Sequence, residues 1–281
     1  MAKRKIKIAV ISDVHLGTYG CRAKELYKYL KSINPEVLIL NGDIIDIWQF
    51  RKSYFPKAHL KVLKQIMAMA SKGTKVHYLT GNHDEALRRF SDFTLGNISL
   101  ADKLVLSLPE GKAWFFHGDI FDASIQSAKW LAKLGGWGYD LLIMINSVLN
   151  WSLEKMGRER YSLSKKIKNS VKKAVTYIQS FENTAAELAI EQNYKYVICG
   201  HIHQPQMREV SLKQGNCFYL NSGDWIENLS SLEYHDGEGW RLYQYELAPP
   251  TEEEEADEEL NNLDLQRIIA KVTLNDREPA L

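Results

Sequence analysis

Short apolar runs punctuate the chain, and polar clusters close each of them. Residues 6–11, 37–40, 76–79, 114–116, 196–199 and 218–220 are mainly apolar, β-branched or aromatic, and each run leads into a cluster of Gly, Asp, Asn, Ser or His. Runs of this length bounded by turn-forming residues predict buried strands. Between the first three runs lie helical patterns. Residues 22–33 place Leu26, Tyr29, Leu30 and Ile33 on one face, and residues 59–70 predict a second helix facing inward with Leu60, Leu63, Ile66 and Met67. Strands alternating with helices predict an α/β fold, whose ligands bind beyond the carboxyl ends of the strands. The polar clusters stand at those ends.

Residues 123–193 interrupt the pattern. They carry no strand signal, are rich in Leu, Ala, Lys and Trp, and predict a helical insertion between core segments 1–122 and 194–248. After Pro249 and Pro250 comes the acidic run from Glu252 to Glu255, and residues 249–281 read as a flexible, solvated tail. A composition of 45% hydrophobic and 11% aromatic residues excludes a mainly disordered chain.

The net charge of +1 conceals a partition, because residues 252–281 hold 10 acidic and 3 basic groups, leaving 33 basic against 25 acidic before them. A basic body suits an anionic ligand or surface. Part of that charge is concentrated: residues 154–173 contain eight basic and two acidic side chains, next to an apolar stretch bearing Trp130, Trp137 and Trp151. The apolar run near the N-terminus is shorter than a signal-peptide core of ~7–15 residues, and none reaches the ~18–20 of a membrane span. Cys21, Cys199 and Cys217 are odd in number and lack zinc-ligand spacing, so the expectation is reduced thiols in a cytoplasmic protein.

Histidine placement carries the chemistry. Of eight histidines, His15, His83, His117, His201 and His203 lie in the strand-end clusters, together with Asp13, Asp43 and Asn82. Imidazole nitrogens with carboxylate oxygens suit divalent manganese, iron or zinc, and no cysteine competes. The donors exceed the needs of one tetrahedral ion and suit two ions sharing a carboxylate ~3.5–4 Å apart, an arrangement used for phosphate ester hydrolysis. A lone Asp-x-His is usually a capped turn, and a lone Gly-His-Ile-His a turn with satisfied imidazoles. Five such clusters in series are not.

Asp13-x-His15, Gly42-Asp43-x-x-Asp46, Gly81-Asn82-His83-Asp84, His117 and Gly200-His201-x-His203 resemble the ordered motifs of the calcineurin-like metallophosphoesterases, over residues 6 to about 225. The resemblance implies a two-sheet β-sandwich flanked by helices and a dinuclear centre. It assigns Asp13, His15 and His203 to one ion and Asn82, His117 and His201 to the other, with Asp43 bridging. The implied cofactors are two divalent metal ions, manganese ahead of iron or zinc. The family pattern makes His83 the group that protonates or stabilises the leaving oxygen, with Asp46 orienting its ring. A third ligand or a spacer remains the alternative for His83.

Within the family, the insertion makes the chain similar to the UDP-2,3-diacylglucosamine diphosphatases of lipid A synthesis. An apolar wall beside a basic one suits a substrate with acyl chains and a diphosphate. The resemblance implies a nucleotide-linked lipid as substrate, UMP and a lipid sugar 1-phosphate as products, and Lys168, Lys172 and Lys173 as diphosphate contacts. It also implies peripheral contact with the cytoplasmic face of the inner membrane. The plainer alternative is that the apolar set is the insertion's own core and the basic run a solvated helix face. One position departs from the pattern: the better-known diphosphatases carry Arg where this chain has His83. That leaves open a phosphodiesterase or phosphatase acting on a soluble nucleotide or phosphoprotein. A nucleic-acid partner is disfavoured, because Tyr161 and Tyr177 are the aromatics near the basic run. A non-catalytic module is disfavoured because every expected ligand is retained.

Overall fold

The structure, a computed structural model, describes residues 3–47, 54–121 and 164–247, with residues 164–174 described as backbone helix only. Most of the expected insertion, the tail from residue 248, and the side chains of Lys168, Lys172 and Lys173 lie outside the described residues. The chain divides into two units, residues 1–245 and 246–281. The elements below belong to the first.

In chain order they are β1 (Arg4–Ile11), α1 (Ala23–Ser32), β2 (Ile33–Asn41), α2 (Lys57–Ser71), β3 (Lys75–Leu79), a 3-10 helix (Glu85–Phe90), β4 (Thr94–Leu95), β5 (Ile98–Ala101), β6 (Lys103–Leu108), β7 (Gly111–Phe116), α3 (Ser164–Glu191), β8 (Tyr196–Cys199), β9 (Gln206–Leu212), β10 (Gly215–Asn221), β11 (Ser230–His235) and β12 (Gly239–Gln244). They build a seven-stranded sheet, β12-β11-β1-β2-β3-β5-β4, and a five-stranded sheet, β6-β7-β8-β10-β9. Each sheet is parallel at its centre: β1, β2, β3 and β5 in the first, β7, β8 and β10 in the second. The outer strands join antiparallel.

The period-two alternation of a strand explains the layering. In β1, Ile8 and Val10 enter a core shared with Ala113, Phe115, Ile198 and Leu220 of the second sheet. Ala9 and Ile11 point the other way, onto Leu26 and Leu30 of α1 and Val62 and Ile66 of α2. Buried on both faces, β1 reads as a continuous apolar run rather than an alternating one. On the outer face of the second sheet, Phe181, Ala185 and Ala189 of α3 form an i, i+4, i+8 stripe against Val197, Cys199 and Tyr219. The architecture is therefore a two-sheet α/β sandwich with helices on both outer faces.

All six expected strands and both expected helices are present. The inward face of α2 is corrected. Leu60 and Met67 are 55% and 62% exposed, and the buried residues are His59, Val62, Ile66, Met69 and Ala70. Val62, Ile66, Met69 and Ala70 form a second apolar stripe at i, i+4, i+7 and i+8, and the neighbouring buried His59 accepts the Gly17 N–H through Nδ1 at 2.9 Å. The strands β4, β5, β6, β9, β11 and β12 went unread in the sequence. β4 has two residues, β6 alternates exposed and half-buried positions, and β9 does the same but for the buried Val210, which gives a weak apolar signal. Among the described residues, no helix is long and apolar enough to cross a membrane.

Candidate metal centre

Strand exits from both sheets converge on one place. β1 leads to Asp13 and His15, β2 to Asp43, β3 to Asn82 and His83, β7 to His117, and β8 to His201 and His203. Backbone hydrogen bonds stitch these exits together. Asp13 N–H donates to the Gly42 carbonyl (3.1 Å), and both Val14 and His15 N–H donate to the Asp43 carbonyl (2.9 Å each). Ile47 N–H reaches the His83 carbonyl, and Gly200 N–H the His117 carbonyl, both at 3.0 Å.

The backbone of this rim is unusual. Asp13, His15, Asp43, His201 and His203 all have left-handed φ, between 51° and 66°. Non-glycine residues avoid that region, at a cost of order 1–3 kcal/mol each where the surroundings enforce it, and such residues gather at functional sites. Two glycines make room. Gly42 has φ +83° and passes against the His117 ring, while a Cβ on Gly200 would lie 2.6 Å from Asp13 Oδ2.

Three groups of donor atoms result, each with its atoms within 4.8 Å of one another: Asp13, His15 and His203; His15, Asp43 and His83; and Asp43, His117 and His201. The first holds the three residues expected at one ion, the third holds Asp43 with two of the three expected at the other, and the middle group links them through His15 and Asp43. The middle group brings His83 to the same centre, its ring edge-on to His15 with centroids 4.6 Å apart. The Oδ1 of Asn82, next to His83 in the chain, is buried without a hydrogen-bond partner, as is Nε2 of His15. Buried polar atoms without partners are rare, and nitrogen and oxygen donors left so beside carboxylates fit a divalent cation.

The outer nitrogens are held. His15 Nδ1 lies 3.2 Å, and His83 Nδ1 2.9 Å, from the same Asp46 Oδ2. His117 Nδ1 donates to the Asn41 carbonyl at 2.9 Å, which turns Nε2 toward Asp43 Oδ2, 3.1 Å away. His203 Nε2 is 3.2 Å from Asp13 Oδ1. Anchoring one ring nitrogen fixes which nitrogen faces the centre.

The electrostatics are those of a crowded anion–imidazole cluster. Burial works against the Asp13 charge, but His203, His117 and His15 outweigh it and hold the carboxyl below the usual range. Asp43 is lowered likewise, with His117 as the main counterweight to burial. Burial disfavours charge on the imidazoles too. Even so, Asp43 and Asp13 raise His117 well above its usual value, and Asp13 and Asp224 push His203 up to about 10. His83 is raised against burial by Asp46 and Asp43, so it retains a proton more readily than a free imidazole.

Residues 6–205 match the family model of the calcineurin-like phosphoesterases. The chain belongs to that family. Similar curated proteins include a UDP-2,3-diacylglucosamine hydrolase of Blochmanniella pennsylvanica, 25% identical over 82% of this chain and 93% of that one. Another of the same name, from Ectopseudomonas mendocina, is 23% identical over 86% of this chain and 99% of its own length. This calcineurin-like phosphoesterase is a metal-dependent hydrolase, and its divalent ions belong with the histidines and aspartates gathered here.

Several supporting residues received no role from sequence reading. Asp84, fully buried, accepts N–H bonds from Gly81 (2.6 Å) and Ile44 (3.0 Å) and the Tyr78 hydroxyl at 2.5 Å, bracing the loops that carry Asp43 and Asn82. Its place in Gly81-Asn82-His83-Asp84 was the available signal. His59 had none. Burial lowers it to about 4, which keeps the ring neutral as the acceptor that holds the loop after His15. Asp224 stood in a strand-end cluster without histidine and received no role.

Proposed function

We propose that this phosphoesterase cleaves the diphosphate of a UDP-2,3-diacylglucosamine-type substrate, releasing UMP and the lipid sugar 1-phosphate. The observation carrying the reaction class is the pair of donor groups, Asp13–His15–His203 and Asp43–His117–His201, joined by a third group of His15, Asp43 and His83. Asp13, His15 and His203 would hold one cation and Asn82, His117 and His201 the other, with Asp43 between; manganese suits this mixed donor set. Two bound divalent cations supply Lewis acidity at the phosphoryl oxygens and activate the attacking water.

The protein's own groups do the rest. Asp46 holds the His83 ring at 2.9 Å, and the raised proton affinity of that ring suits a donor to the leaving oxygen. Asp46 holds His15 through the same oxygen, so one buried carboxylate sets the orientation of both rings. Lys168, Lys172 and Lys173, on the N-terminal half of α3, are the proposed diphosphate contacts.

The lipid-nucleotide substrate is supported by the names of the relatives and by the apolar and basic composition of residues 130–173. A cytoplasmic enzyme touching the inner membrane peripherally would meet such a substrate. The second reading, a phosphodiesterase or phosphatase on a soluble nucleotide or phosphoprotein, is favoured by His83 in place of arginine. A hydrolysis panel with Mn²⁺ separates them. The lipid reading expects UMP from UDP-diacylglucosamine, with rates altered by detergent or vesicles. Equal turnover of simple aryl phosphate esters without UMP release would support the second reading instead.

A further inference from the structure

The turn after β10 lies beneath the Asp13–His15–His203 group without contributing to it. Trp225 N–H donates to the Asp13 carbonyl at 3.1 Å, and Asn228 Nδ2 donates to the His203 carbonyl at 2.8 Å. At its centre is Asp224, 1% exposed. Asp224 Oδ1 accepts three backbone N–H bonds, from Ile226 (2.8 Å), Glu227 (2.6 Å) and Asn228 (3.0 Å). With Oδ1 fixed in this way, Oδ2 is aimed outward. It accepts Asn228 Nδ2 at 2.6 Å and stands 3.5 Å from His203 Nδ1. The other nitrogen of the same ring, Nε2, faces Asp13 at 3.2 Å.

We infer that Asp224 is a positioning residue for His203: it holds the Nδ1 side of the ring so that Nε2 is presented to the cation shared with Asp13 and His15. The arrangement parallels Asp46 behind His15 and the Asn41 carbonyl behind His117, which completes a set of outer partners for three of the four candidate imidazole ligands. A carboxylate in this place fixes the tautomer and raises the basicity of the ligand nitrogen, and its loss typically costs about 10–100-fold in metal affinity. The inference rests on His203 being a ligand, as proposed above.

The test is calorimetric Mn²⁺ titration of the full chain as wild type, Asp224→Asn, Ser230→Ala, His203→Asn and the Asp224→Asn/His203→Asn double variant. Asparagine keeps the shape of Asp224 and an oxygen for the turn amides. Ser230→Ala removes a bond of the same turn, Ser230 Oγ to the Ser222 carbonyl at 2.7 Å, without touching the ring. The expected result is a weakening of one of two binding steps by about 10–100-fold in Asp224→Asn, with the other step kept and both kept in Ser230→Ala. In the His203→Asn background, Asp224→Asn should add nothing. Wild-type binding by Asp224→Asn, additive losses in the double variant, or an Asp224→Asn chain that does not fold while Ser230→Ala does would each overturn the inference. A wild-type chain that fails to take up two equivalents would instead overturn the ligand assignment, and this inference with it.

Discussion

His83 faces two employments at once: it belongs to a donor group with His15 and Asp43, yet Asp46 holds its outer nitrogen and its proton affinity is raised. A role as acid predicts that His83→Asn leaves two Mn²⁺ equivalents bound and lowers kcat on a poor leaving group by about 10²–10⁴-fold. Loss of a binding step in a Mn²⁺ titration, or unchanged turnover on that substrate, would make it a ligand or a spacer. Gly200 is tested on steric grounds. In Gly200→Ala the new Cβ would meet Asp13 Oδ2 at 2.6 Å and Ser12 Oγ at 2.8 Å, and Asp13 is already committed to the His201 N–H at 3.0 Å. The expected outcome is a fall from two bound Mn²⁺ to one, measured by metal analysis after gel filtration.

At the scale of elements, each sheet delivers its donors because its central strands run parallel and so end together. The loops carry the chemistry, and the packing of α1, α2 and α3 keeps the strands in place. Phe181 is the strongest test of that support. It is fully buried, packs edge-on to Phe121 (centroids 5.3 Å apart) and lies 6.1 Å from the His201 ring. Phe181→Ala is expected to lower unfolding free energy by about 3–5 kcal/mol, read from a urea midpoint. An effect below ~1 kcal/mol would mean that α3 does not brace the second sheet. The helical and strand content of this layer was partly legible beforehand, but the face of α2 was not. Val62 and Met69 are inside instead of Leu60 and Met67, because α2 carries two apolar stripes and only packing against the sheet selects between them.

For the whole molecule, the balance of charge at the centre decides how pH acts. In the metal-free protein, His203 is pushed up to about 10 and His117 is also raised, while Asp13, Asp43 and Asp224 are lowered. The His203 contribution to stability is present below its ordinary value of 6.5 and fades as pH rises toward about 10. The carboxylate contributions are present above about 4 and are lost as pH falls below it. As the proposed ligands, His203 and His117 are expected to give up protons when divalent ions bind at pH 7, and apparent Mn²⁺ affinity should rise with pH from neutral upward. Calorimetry in two buffers of different ionisation enthalpy measures this. Absence of proton release at pH 7 would refute it. Bound metal should also raise the melting temperature, by an increment equivalent to about 2.7 kcal/mol at a free concentration of 100 Kd.

The amino-acid sequence determined which polar clusters stand at the strand ends, because strand signals and turns are local and each motif stands directly after its strand. His15, His83, His117, His201 and His203, with Asp13, Asp43 and Asn82, could be named for that reason, as could both helices of the first half, while the resemblance to the family supplied their roles. The tertiary structure alone decided what lies behind those residues. His203 meets Asp13 and Asp224, His15 shares Asp46 with His83, and His117 is steered by a backbone carbonyl of β2. These partners come from segments distant in sequence, and a contact across such a separation leaves no periodicity to read. The left-handed backbone at five of the candidate ligands is likewise imposed by neighbouring loops, since nothing intrinsic to Asp or His demands it.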